Sequence, residues 1–208
     1  MQAEIHNALG VLSANPGRYK ESEKEFKKAI KSDPGFALAY YNLGNLYYDL
    51  EKYHDAEEAF GKAIKADPEY ADAHNSLGTV LAKSGKYKEA EEEFEKSLKI
   101  SPGFAVAHYN LGNLFCELKQ YGDAEKEYRT AIEIDPGYEE AYNNLGFLLK
   151  KLKQYDKAEE ELIKAIRLNP KDEDVQYNLW DLFSVTGRID DAKKLNPKVK
   201  KKNEQTKL

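Results

Sequence analysis

The chain has 208 residues, 41% of them apolar and 33% charged, a balance that suits a folded protein and excludes a disordered one. No apolar run approaches the ~18 residues of a membrane span, and the opening MQAEIHNALG is not a secretory leader. A single cysteine, Cys116, excludes an internal disulfide framework and fits a reducing, cytoplasmic setting. The net charge of −5 divides into +6 over residues 193–208 and −11 over the rest, which is not how a nucleic-acid binder distributes its positive charge.

From residue 3 the sequence repeats every 34 residues, as 3–36, 37–70, 71–104, 105–138 and 139–172, with a partial sixth unit over 173–195. Positions below count from the first residue of each unit. The first unit has Leu9-Gly10 at positions 7 and 8, Tyr19 at position 17 and Pro34 at position 32. The second repeats this with Leu43-Gly44, Tyr53 and Pro68, and the third with Leu77-Gly78, Tyr87 and Pro102. The fourth has Leu111-Gly112, Tyr121 and Pro136, and the fifth Leu145-Gly146, Tyr155 and Pro170. Positions 3, 7, 10 and 14 share one side of a 3.6-residue helix, and 4, 8 and 11 the adjoining side. A second helix follows, with apolar residues at positions 20, 24, 27 and 28, and the Asp-Pro or Ser-Pro after it stops the ladder. Each unit is therefore expected to be a helical hairpin too small to bury its own apolar surface, stabilised by stacking on its neighbours.

The length, the Leu-Gly pair, the Ala or Ser at position 20 and the terminal proline resemble the tetratricopeptide repeat, over residues 3 to about 195. The resemblance implies an all-α fold: a single right-handed superhelical solenoid of antiparallel hairpins whose first helices line a concave groove. It also implies binding of peptides or partner helices rather than catalysis, with no cofactor. Residues 196–208 are expected to form a basic, flexible tail.

The repeat is nonetheless more faithful at 68 residues than at 34. Units 37–70 and 105–138 share 18 of 34 residues, whereas 37–70 and 71–104 share 13, so the alternation needs its own explanation. Part of the surplus falls on positions 2, 5, 9 and 12, opposite the packed sides of the first helix. Two readings stand: the scar of a duplicated two-unit block, or a groove with alternating aromatic and polar stations. The candidate partner-binding residues on this face are Tyr41, Asn42, Asn45, Tyr48, Asn75, Tyr109, Asn110, Asn113, Asn143, Asn144, Phe147, Tyr177 and Asn178. Tyrosines offer flat contact area at low entropic cost, and an asparagine amide can pair with a peptide backbone. This asparagine ladder is similar to those of O-GlcNAc transferase and kinesin light chain arrays. The alternative role for the same amides is to satisfy neighbouring helices.

The chaperone-type carboxylate clamp is absent: position 2 is never basic (Glu4, Leu38, Asp72, Val106, Glu140, Asp174). Asp49, Asp72, Glu117, Glu140 and Asp181 tilt the face acidic, so an apolar or mildly basic partner segment is expected. His6, His74 and His108 recur at position 4 without ligand spacing and read as structural, so no metal site is expected. No phosphate-cradling glycine loop is present, and Cys116 has no evident general base.

The sixth unit departs from the pattern. Trp180 replaces the position-8 glycine and the second helix shrinks to about RIDDAKKL. Trp180, Leu182 and Phe183 are expected to expose apolar surface, covered by the chain's own last helix, by a second copy in a homodimer, or by residues of a longer protein. The sequence thus points to a non-enzymatic adaptor, with a self-assembling scaffold joined through an uncapped end as the alternative.

Overall fold

The computed structural model describes residues 1–195; the expected basic tail lies outside the described residues. Those residues form twelve helices and no strand. The helices are α1 (Gln2–Leu12), α2 (Tyr19–Ser32), α3 (Ala37–Asp49), α4 (Tyr53–Ala66), α5 (Ala71–Lys83) and α6 (Tyr87–Ile100). They continue with α7 (Ala105–Glu117), α8 (Tyr121–Ile134), α9 (Glu139–Lys151), α10 (Tyr155–Leu168), α11 (Glu173–Val185) and α12 (Ile189–Lys194). Packing divides the chain into two compact units, Met1–Asn110 and the remainder from Leu111, with the division inside α7.

Every turn inside a hairpin uses one left-handed residue at position 15. It is Gly17, Gly85 or Gly187 in three repeats and Glu51, Lys119 or Lys153 in the others, with φ between 57° and 93°. The turn after each second helix is set by the residue before proline. Asp33 and Asp67 are extended at φ −146° and −139°, as a following proline requires. Each aspartate then accepts the N–H two residues on, Gly35 at 2.9 Å and Glu69 at 3.1 Å, which closes the corner locally.

In the first unit, α1 packs on α2, α3 on α4 and α5 on α6, while α2 also packs on α3 and α4 on α5. In the second unit, α9 packs on α8 and α10, and α11 on α10 and α12. The position-8 glycine is what lets the hairpins close. A Cβ on Gly44 would lie 2.6 Å from the Phe60 ring, one on Gly78 2.8 Å from Phe94, and one on Gly112 2.7 Å from Tyr128. Those position-24 side chains are almost wholly buried, each stabilising the fold by about 1.5–3 kcal/mol relative to exposure. In the last repeat Trp180 stands at position 8 in place of the glycine, and α12 spans Ile189–Lys194 among the described residues. The expectation that Leu182 and Phe183 expose apolar surface is corrected: both are buried, and Trp180 is half-buried and stacked on Tyr177, centroids 6.0 Å apart. Leu182 stands at position 10, the side of a first helix that the preceding second helix covers.

Candidate binding face on the first helices

Within residues 1–110, α1, α3 and α5 stand side by side, and in the second unit α9 and α11 do the same. The asparagines hold these neighbours together. Asn42 donates its side-chain N–H to Asn7 Oδ1 at 2.9 Å, and Asn110 donates to Asn75 Oδ1 at 3.0 Å. In the second unit, Asn178 donates to Asn143 Oδ1 at 2.8 Å. Each bond joins position 5 of an odd repeat to position 6 of the even repeat that follows. The acceptors Asn7 and Asn75 are buried, so the pairing satisfies amides that could not stay unpaired cheaply.

These clasps answer the 68-residue period. In these three clasps an odd repeat supplies the acceptor and an even repeat the donor, so each distinguishes the two kinds of first helix. Asn7 is a clasp partner that the candidate residues missed, and its signal was present as the asparagine at position 5 of every odd unit. The even-to-odd seams differ. Asn144 donates to Asn113 Oδ1 at 2.8 Å, an oxygen that also accepts the Tyr128 hydroxyl at 2.7 Å, whereas at α5 position 6 is Ser76.

The aromatic stations are partly drawn inward. Tyr41 packs its ring 5.0 Å from Tyr70 and 5.8 Å from Phe60, and Tyr48 meets Tyr53 edge-on at 5.7 Å. Burial, then the neighbouring Tyr41, Asp72 and Asp67, push the Tyr70 hydroxyl up to about 12, and burial raises that of Tyr48. Tyr41, Asn45, Tyr48 and Tyr109 stay half-buried, and Leu38 is exposed at the start of α3. In the second unit Phe147 is 46% exposed, with the Lys150 ammonium 4.9 Å from its ring centre. Lys150 also pairs with Asp181, so the acidic tilt expected there is locally neutralised.

Glu139 carries the largest carboxylate perturbation. Burial, followed by Asp172, Glu140 and Asp174, raises it to about 7. Burial also pushes up the Cys116 thiol, which the Tyr128 hydroxyl approaches at 3.5 Å; a thiol held protonated is a poor nucleophile. The histidines join turns to helices. His74 lies between the Glu93 carboxylate at 2.6 Å and the Pro68 carbonyl at 3.0 Å, and His6 lies 2.7 Å from Glu25. Gln176 takes the histidine position in the last repeat, donating to the Pro170 carbonyl at 2.8 Å. Among the described residues no group of three His, Cys, Asp or Glu side chains converges as a metal site, and no helix is long and apolar enough to cross a membrane.

Comparison with known proteins places this geometry. Family models described as tetratricopeptide repeat match residues 41–105, 93–126 and 139–172, and a TPR-repeat model matches 16–50 and 112–153. No curated protein matches by sequence. Among solved structures, PilW, a widely conserved type IV pilus biogenesis factor, is 22% identical with a TM-score of 0.84, covering 92% of this chain and 89% of its own. TTC0263, a thermophilic TPR protein of Thermus thermophilus, is 21% identical with a TM-score of 0.72, covering 87% and 98%. YrrB, described as a TPR protein with an unusual peptide-binding site, is 27% identical with a TM-score of 0.63, covering 83% and 89%. The hairpins, the position-8 glycines and these matches agree: the chain belongs to the tetratricopeptide repeat family.

Proposed function

We propose that the protein is a non-enzymatic adaptor that holds a partner peptide or helix against the exposed faces of its first helices. The observation that carries this reading is the half-exposed apolar and aromatic surface on those faces, Leu38 with Tyr41 and Tyr48 in one unit and Phe147 with Tyr177 in the other. Such surface stands beside side-chain amides, and the half-buried Asn42 and Asn178 each donate one side-chain N–H to their clasp. The remaining capacity suits a peptide backbone, and the rings suit its side chains. The likeness to YrrB supports a peptide ligand. Asp49, Asp72, Glu117 and Glu140 favour an apolar or mildly basic segment over an acidic one. The reading places the adaptor in the cytoplasm, where Cys116 stays reduced.

A displayed library of random peptides, selected on the whole protein, tests this. Enriched peptides are expected to be apolar or basic and to lose at least tenfold in affinity for the Phe147→Ala, Tyr177→Ala double variant or for Leu38→Ala, Tyr48→Ala. Enriched peptides that bind all these variants as well as the parent would remove the first-helix faces from the function.

A further inference from the structure

The second and fourth repeats carry a residue trio that the first and third lack. Tyr41 at position 5, Tyr70 at position 34 and Asp72 two residues on recur 68 residues later as Tyr109, Tyr138 and Glu140. The same register holds Asn7, Phe36 and Leu38 from the first repeat, and Asn75, Phe104 and Val106 from the third. Within residues 1–110 the first trio converges. The Tyr41 and Tyr70 rings stand 5.0 Å apart at 45°, and both are half-buried. Asp72 lies exposed in the first turn of α5, close enough to act on the Tyr70 hydroxyl, as does Asp67.

The chain's own cations leave this place open. Lys52 stands 5.7 Å from the centre of the Tyr47 ring in the same unit. In the second unit Lys150 stands 4.9 Å from Phe147, and Lys151 5.0 Å from Tyr121. These are the distances at which a ring face attracts a cation. Among the described residues no lysine or arginine covers Tyr41 or Tyr70 in this way, and Asp72 forms no ion pair. Two ring faces and two carboxylates without a neutralising charge make a local negative field, and its complement is a cation.

We infer that Tyr41, Tyr70 and Asp72 seat an arginine side chain of the partner segment, an inference that rests on the peptide-binding reading. A planar guanidinium can lie against a tyrosine ring while its N–H groups donate to the Asp72 carboxylate. A lysine ammonium is more strongly hydrated and has no flat face to stack, so it gains less from the same two rings. Leu38 stands three residues before Tyr41 on the same side of α3 and is 40% exposed. It offers apolar surface to the residue next to the arginine, so the seat asks for a basic residue with an apolar neighbour.

Three pools of short synthetic peptides test this on the full chain. All share random apolar residues around a fixed centre, which is arginine, lysine or citrulline, the uncharged isostere of arginine. Fluorescence anisotropy should show the arginine pool binding about fivefold or more tighter than the citrulline pool, with lysine between them. Asp72→Asn and Tyr70→Leu should each cut that preference to about twofold or less, whereas Tyr70→Phe, which keeps the ring, should retain most of it. Asp72 is exposed, so Asp72→Asn leaves the packing intact and decides the matter if Tyr70→Leu loses helix. Three results would overturn the seat and leave the adaptor reading standing: equal binding of the arginine and citrulline pools, a lysine pool that binds as tightly as the arginine pool, or an arginine preference unchanged by Asp72→Asn. Failure of every pool to bind the parent would overturn both.

Discussion

The seam from an odd repeat to the next even repeat and the seam from an even repeat to the next odd one are built differently. At the first kind, Asn7 with Asn42, Asn75 with Asn110 and Asn143 with Asn178 form the same bond three times, between positions 5 and 6. At the second kind, Asn144 reaches Asn113 at position 9, while Ser76 stands at the equivalent place in α5. The hairpins themselves do not alternate: an aromatic residue or leucine at position 24 closes on a position-8 glycine in each of the first five. The 34-residue period therefore belongs to packing within a hairpin and the 68-residue period to polar pairing between first helices. A duplicated two-unit block would also leave alternate repeats alike, and the clasps give a physical reason for keeping that likeness.

Substitutions inside the hairpin should ignore the alternation. Phe60→Ala in an even repeat and Phe94→Ala in an odd one should each cost about 3–5 kcal/mol in urea unfolding, with no systematic difference between them. Gly78→Ala and Gly112→Ala should each cost about 1–3 kcal/mol, because the buried ring 2.7–2.8 Å from the new Cβ has no space to withdraw. A cost confined to one class of repeat would place the alternation inside the hairpins after all.

The hairpins were legible in the sequence because their signals are steric. Gly10 through Gly146 mark close approach, and proline marks each helix end. The clasps were less legible because a helical wheel places a side chain on a face without saying whether a neighbour or a ligand meets it. Asn42, Asn110, Asn144 and Asn178 lay on the right face, but their partners belong to another helix 31 or 35 residues away. Tyr41 shows the same limit: its position faces outward, yet the ring is long enough to lie over Phe60 and Tyr70. The break in the pattern at Trp180 points to exposed apolar surface there, whereas Leu182 and Phe183 are buried and Ile5, Leu9 and Leu12 of α1, where the pattern is intact, are exposed.

Smaller effects sharpen the same division. Lys119→Gly relieves a left-handed residue at φ 60° in an intra-hairpin turn and should stabilise the fold by about 1 kcal/mol, raising the thermal midpoint by a few degrees. The turn is common to both repeat classes, so Lys153→Gly, at φ 61° in an odd repeat, should act alike. Glu139 offers a pH test on α9. Between its ordinary value of 4.5 and about 7, the folded chain keeps a proton that the unfolded chain releases, so its contribution to stability falls as pH rises through that window. Glu139→Gln should thus melt above the parent at pH 8, with the advantage gone by pH 4. An equal advantage at both values would show that the neighbouring Asp172, Glu140 and Asp174 do not act through charge.

The most direct test of the alternation is a double-mutant cycle on Asn75 and Asn110, read by denaturant unfolding. Asn75→Ala strands the Asn110 amide and should cost about 1–2 kcal/mol. The double alanine variant should recover enough to give a coupling of about 1 kcal/mol. The parallel cycle on Asn45 and Ser76, at the other kind of seam, should give a coupling near zero. A coupling near zero for Asn75 and Asn110, or one equally large for Asn45 and Ser76, would contradict the claim that the clasps set the 68-residue period.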